Sequence, residues 1–169
     1  MRVLVAVWLL GLPVLTRARV AVWHSEQSIW EDAVKKAPEK ARPIMNLGRA
    51  HELAGDEVLA DAAYRRAISL SFDPRRTEYD RNFTQAAAET NLAHIAMKHG
   101  QLASAITILD MTLRHWPDFP YAHYNRGSIL WAVGACEDAR QEYAIARFGD
   151  PALPGPHGEC IEQIGVAGQ

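Results

Sequence analysis

Residues 91–117 read NLAHIAMKHGQLASAITILDMTLRHWP, and residues 125–151 read NRGSILWAVGACEDARQEYAIARFGDP. At an offset of 34 residues, Asn91-Leu92-Ala93 falls on Asn125-Arg126-Gly127, Gly100 on Gly134, Ala105 on Ala139 and Pro117 on Pro151. Leu109 falls on Tyr143 and Thr112 on Ala146. A period of this size marks an array of stacked helix pairs, in which each unit buries its apolar face only against its neighbours. An earlier copy keeps the same internal offsets in Asn46-Leu47-Gly48, His51, Gly55, Ala60, Tyr64 and Ala67. From Gly55 to Gly100 is 45 residues, so eleven extra residues, around Phe72 to Phe83, separate the first two copies. Before them Trp30, Ala33 and Pro38 stand where Tyr64, Ala67 and a closing proline would, which makes half a unit.

The residue types suit paired helices. Small side chains at Gly48, Ala60, Ala67, Ala93, Ala105, Gly127, Ala139 and Ala146 permit close approach. Leu47, Tyr64, Leu92, Leu109 and Tyr143 fill the spaces between. Gly55, Gly100 and Gly134 suit the turn after a first helix, where a left-handed backbone is needed. Pro38, Pro117 and Pro151 end second helices, and Pro43 is tolerated in a first turn. The pattern predicts helices near 26–37, 41–54, 57–71, 78–99, 102–115, 120–133 and 136–148, with no strand-like alternation.

These residues resemble the tetratricopeptide repeat, whose pattern asks for Leu-Gly, an aromatic three residues on, then Gly, Ala, an aromatic, Ala and Pro. The resemblance covers about Glu26 to Pro151. It implies an all-α, right-handed helix-turn-helix solenoid of three full repeats after a half repeat, acting as a protein- or peptide-binding scaffold. The chain then divides into an apolar leader (1–19), the repeat domain (20–151) and a Gly/Pro-rich tail (152–169). Part of the tail, around Glu159 to Ile164, is expected to fold over the last helix, because terminal repeats need a cap.

A net charge of −2 and a pI near 6.4 lack the basic excess that phosphate gripping requires, so nucleic acid is not an expected partner. Cys136 and Cys160, 24 residues apart and in no CxxC pair, fit either one disulfide or two separate thiols. In the leader, Arg2 precedes thirteen uncharged, mainly aliphatic residues, Val3 to Leu15. As a helix this run is about 20 Å long, short of a bilayer core. It reads as a membrane anchor or the remnant of a spanning helix, as a secretory signal with a poor cleavage site, or as a buried helix. The first two readings place the chain at a membrane or outside the cytoplasm.

Residues Arg19 to Ser25, followed by Ser28-Ile29-Trp30-Glu31-Asp32 and Lys36-Ala37-Pro38, carry a second resemblance. They are similar to the junction between the last membrane helix and the repeats of transmembrane and tetratricopeptide-repeat O-mannosyltransferases. This implies an extracytoplasmic repeat domain, regulatory or substrate-presenting, beside a catalytic membrane domain that this chain does not contain. A structural spacer that self-assembles through its ends is a further reading.

Catalytic and metal chemistry find no support in the sequence. His51-Glu52 begins like HExxH, but Gly55 stands in place of the second histidine. His51 occupies the family's core aromatic position and reads as a buried, hydrogen-bonded histidine. His94 and His99 are five apart, off one helical face. No GxSxG, phosphate-binding loop or GxGxxG occurs, so no cofactor and no metal are expected. Asn82-Phe83-Thr84 is a glycosylation sequon, expected in a surface loop or at a helix start.

The expected binding surface is the concave face lined by the first helix of each pair. Asn46, Asn91 and Asn125 stand two residues before the small motif residues, and stacked amides can pair with an extended backbone. Alternatively they bond only to a neighbouring helix. Arg42, Arg49, His94 and Lys98 are expected on the same face, available to a carboxylate. Tyr121, Tyr124, Ser128 and Trp131 form one helical stripe, either an aromatic platform or a surface covered by the tail.

Overall fold

The computed structural model describes residues 20, 22–71 and 78–161, the side chains of 78–81 excepted. The expectations for residues 1–19, and for the tail beyond Ile161, lie outside the described residues. Among the described residues there are seven helices and no strand. The helices are α1 (Glu26–Lys36), α2 (Ala41–Ala54), α3 (Glu57–Ser71), α4 (Glu78–Lys98), α5 (Leu102–His115), α6 (Pro120–Ala132) and α7 (Cys136–Gly149). Every expected boundary lies within one residue of the observed one.

Local chemistry sets the ends. Ser25 and Ser28 form a reciprocal capping box at α1, each hydroxyl accepting from the other's backbone N–H at 3.1 Å. The three pair-closing turns are alike. Gly55, Gly100 and Gly134 have φ of 87°, 71° and 80°, which costs glycine little. The amide of the next residue then reaches five positions back: Asp56 to His51, Gln101 to Ala96 and Ala135 to Leu130, each at 2.9 Å. These bonds satisfy carbonyls that the helix end would leave unpaired.

α2 packs on α3, α4 on α5 and α6 on α7, while α3–α4 and α5–α6 contacts stack the pairs and α1 covers α2. The first helices of successive pairs also touch, α2 to α4 and α4 to α6, so they share one face. The core runs as two clusters joined at α4. Tyr64 and Leu109 are wholly buried at equivalent repeat positions, and Tyr143 is 6% exposed at the third. Around them Ala60, Ala67, Ala105, Ala139 and Ala146 have no exposed surface.

Gly48 shows why small residues are needed. A Cβ there would stand 2.8 Å from Tyr64 Cε1 and 3.1 Å from the Ala63 Cβ. Tyr64 is locked by burial, so the ring cannot easily yield. Gly48→Ala is therefore expected to lower stability by about 1–2 kcal/mol despite alanine's better helix propensity, because overpacking outweighs the gain of about 1 kcal/mol. Urea denaturation gives the comparison, and an unchanged or raised midpoint would contradict this packing.

Two expectations are corrected. The sequon lies inside α4, not in a loop or at a helix start, and Thr84 is buried at 1% exposure. The extra residues from 78 onward belong to α4, which has 21 residues where α2 has 14 and α6 has 13. His51 is only half-buried, and its buried Nδ1 has no hydrogen-bond partner. The buried, bonded histidine is instead His123, whose signal in the sequence was not distinct.

His123 Nδ1 donates to Glu142 Oε2 at 2.7 Å and Nε2 donates to the Pro117 carbonyl at 2.6 Å. Both ring nitrogens face acceptors, so the imidazolium fits. Burial opposes that charge, but the bonds to Glu142 and Pro117 outweigh it and raise the pKa above the ordinary histidine value. A raised folded pKa adds stability that is complete below the unfolded value of about 6.5 and is lost as pH rises through the folded value. Thermal melts from pH 5.5 to 9 are expected to show this loss, and His123→Gln to flatten it. An unaltered pH profile in that variant would contradict the assignment.

At the carboxyl end, Cys136 and Cys160 form a disulfide, which resolves the choice left open by their spacing. Leaving α7 at Asp150, the chain returns to the amino end of the same helix at Cys160, where Sγ lies 3.6 Å from the Trp131 carbonyl oxygen. The tail through Ile161 forms no helix; it is a strap.

Candidate functional site

The shared face of the first helices holds a cleft of about 370 Å³. Its lining comes from α2 (Met45, Asn46, Arg49), from α4 (Phe83, Ala87, Thr90, Asn91) and from Phe119 and Tyr121 at the start of α6. Phe83 and Phe119 meet edge to face with centroids 5.9 Å apart, and Phe119 lies 5.8 Å from Tyr121. These rings make an apolar part of the lining, which the amides of Asn46 and Asn91 share. Phe83 belongs to the part of α4 lengthened by the extra residues.

Four expected site residues, Asn46, Arg49, Asn91 and Tyr121, line this cleft. Met45, Phe83, Ala87, Thr90 and Phe119 line it too and were not anticipated. The eleven-residue excess was the available signal for Phe83. Arg42 is exposed on α2 and does not line the cleft. Asn125 is also absent from the lining. Its Nδ2 donates to the Thr90 carbonyl at 3.3 Å, the helix-to-helix role that was its alternative reading.

His94 and Lys98 are committed within the fold, a correction to their expected availability. His94 Nδ1 donates to Glu52 Oε1 at 2.7 Å, and Tyr64 Oη donates to Glu52 Oε2 at 2.7 Å. Lys98 Nζ bonds Glu57, whose other oxygen accepts from His99 Nε2 at 2.7 Å. Partial burial raises the Glu52 pKa, but the bonds from His94 and Tyr64 outweigh it, and the carboxyl sits below its ordinary value. Burial, reinforced by the Glu52 bond, pushes the Tyr64 phenol well above the usual tyrosine range. The acids thus pin α2 and the start of α3 to the carboxyl end of α4.

The stripe on α6 is largely internal. Tyr124 meets Tyr143 edge to face at 5.5 Å, and Trp131 meets the same ring at 6.4 Å. Tyr143 Oη donates to Ser128 Oγ at 3.1 Å, while Ser128 Oγ donates to the Tyr124 carbonyl at 3.0 Å. Cys160, in the strap, lies against the Trp131 carbonyl. An open aromatic platform is therefore not what these three residues form. Tyr121 alone joins the cleft, and its hydroxyl donates to Asp150 Oδ2 at 2.9 Å.

Small and aromatic residues recurring at one fixed period, glycine turns in a left-handed conformation and first helices sharing a face together define a class: the helical-repeat scaffold. Within it, residues 90–154 match the family model of the tetratricopeptide repeat. That stretch takes in the second half of α4 and the whole of α5, α6 and α7, and the same pair arrangement extends back to Ala41. The chain is a tetratricopeptide-repeat solenoid. No curated protein matches it. The likeness of residues 19–38 to the O-mannosyltransferase junction rests on those residues alone.

Proposed function

We propose that the chain is a non-catalytic scaffold that holds an extended polypeptide against α2 and α4, outside the reducing cytosol. The observation that carries the reading is the cleft, which Asn46, Asn91 and Arg49 line together with the Phe83–Phe119 pair. Amides donate to and accept from any backbone, so they hold a peptide irrespective of its side chains. The apolar wall supplies area that excludes water.

The disulfide supports the compartment, since such bonds persist in oxidising surroundings and are rare in the cytosol. Among the described residues no helix is long and apolar enough to cross a membrane. The membrane-tethered form of this reading rests on residues 3–15, which lie outside the described residues.

Affinity capture on the immobilised full chain tests the reading, with Asn46→Ala/Asn91→Ala as the site variant and Arg65→Ala on the outer helix α3 as control. Partners retained by wild type and the control, but lost by a site variant that melts normally, are expected. Equal retention by all three would overturn the assignment of this face.

A further inference from the structure

We infer that the edge of the solenoid formed by the start of α1, the end of α2 and the start of α3 rests on the surface of a lipid bilayer. This surface is separate from the cleft, and it rests on the membrane-tethered form of the scaffold reading.

Topology brings the three segments together. α1 packs on α2 across the short link 37–40, and α2 packs on α3 across Gly55 and Asp56, so neighbours run in opposite directions. Arg66, in the second half of α3, donates to the Pro38 carbonyl at 2.8 Å, which sets that half beside the end of α1. The starts of α1 and α3 therefore share the other edge with the end of α2.

That edge is apolar where it meets water. Leu53 is 70% exposed, Val58 84% and Leu59 52%, while Val20 and Trp23, just before α1, are each 63% exposed. Exposed apolar side chains gathered in one place mark an interaction surface. The opposite edge of the same helices carries exposed Lys35, Lys36, Glu39, Lys40 and Arg42 instead. At the apolar edge Glu57 is neutralised by Lys98 and His99, which leaves Asp56 as the exposed acid of the turn. The contact is thus apolar rather than led by charge.

The sequence says what covers it. The thirteen uncharged residues Val3 to Leu15 are followed by Thr16 to Arg19, which join the described chain at Val20, on this edge. Arg17, Arg19 and Trp23 then come in the order suited to a membrane boundary, where cations meet lipid phosphates and tryptophan straddles apolar and wet layers. A bilayer entered by residues 3–15 meets Leu53, Val58 and Leu59 next, and seating them among its headgroups removes their apolar area from water.

The test is lipid photolabelling of the full chain mixed with phosphatidylcholine vesicles that contain an alkyne-tagged phosphatidylcholine. Benzoylphenylalanine is introduced at Val58 on the edge, or at Phe148, which is 93% exposed at the far end of α7. The chain is expected to float with the vesicles and to give a lipid adduct from position 58 but none from position 148. Leu53→Ser/Leu59→Ser should lower the adduct from position 58 about tenfold at an unchanged melting temperature, because both side chains are exposed. A floating chain that labels lipid equally from both positions, or from neither, would overturn this inference and leave tethering standing. So would a serine variant that labels as well as its parent, or an adduct of protein mass at position 58, which would assign the edge to a protein neighbour or a second copy. A chain that does not float would overturn the tethered reading and this inference together.

Discussion

Tyr64→Ala is expected to cost about 4 kcal/mol and to unfold the first repeat well before the others, as judged by urea denaturation and hydrogen exchange. The side chain is fully buried between α2, α3 and α4, and its removal leaves a cavity that rigid helices cannot refill. Its hydroxyl also bonds Glu52, which in turn holds His94 across the repeat boundary. Tyr64→Phe separates the two contributions. It keeps the ring and should cost only about 1 kcal/mol, the worth of one hydrogen bond. Because each repeat touches only its neighbours, α6 and α7 should keep their exchange protection in Tyr64→Ala while α2 and α3 lose theirs. Uniform loss along the chain would show that the repeats are not separable in this way.

Opening the Cys136–Cys160 bridge, by reduction or by Cys160→Ser, should lower the unfolding free energy by about 3 kcal/mol. The bond closes a loop of 24 residues' separation, and the entropy removed from the unfolded chain scales with that length. The effect should appear first at α6 and α7, where the strap would no longer hold the last pair. Tyr121 and Asp150 anchor the strap's root independently, so its far end near Cys160 is what comes loose. A chain whose denaturation midpoint is the same with and without reductant would show that the bridge does not contribute in solution.

The fold was legible because its determinants are local and periodic. Glycine at the turns, alanine at the contacts and proline after second helices each act within a few residues, so the helix boundaries followed from spacing alone. The site was legible only in part. Asn46, Arg49, Asn91 and Tyr121 project from a face that periodicity defines, and they meet in the cleft. His94, Lys98 and Asn125 lie on first helices too, but their fate depends on partners 35 to 42 residues away in sequence, Glu57 and Glu52 for the cations and Thr90 for the amide. Nothing local distinguishes a free cation from a paired one. Phe83 was missed because it lies among the residues outside the 34-residue period, where no repeat position marks which side chain faces the shared surface. The strap over Trp131 depends on a disulfide whose formation two cysteines without a motif did not determine.

The central claim is that polypeptide partners are held on the face formed by α2, α4 and α6. Site-specific photo-crosslinking measures this directly, with benzoylphenylalanine introduced into the full chain at Ala87 in the cleft or at Arg65 on α3, in the cell that makes the protein. The account predicts a discrete higher-mass adduct from position 87, abolished by Asn46→Ala/Asn91→Ala, and none from position 65. An adduct from position 65 with none from position 87 would contradict it.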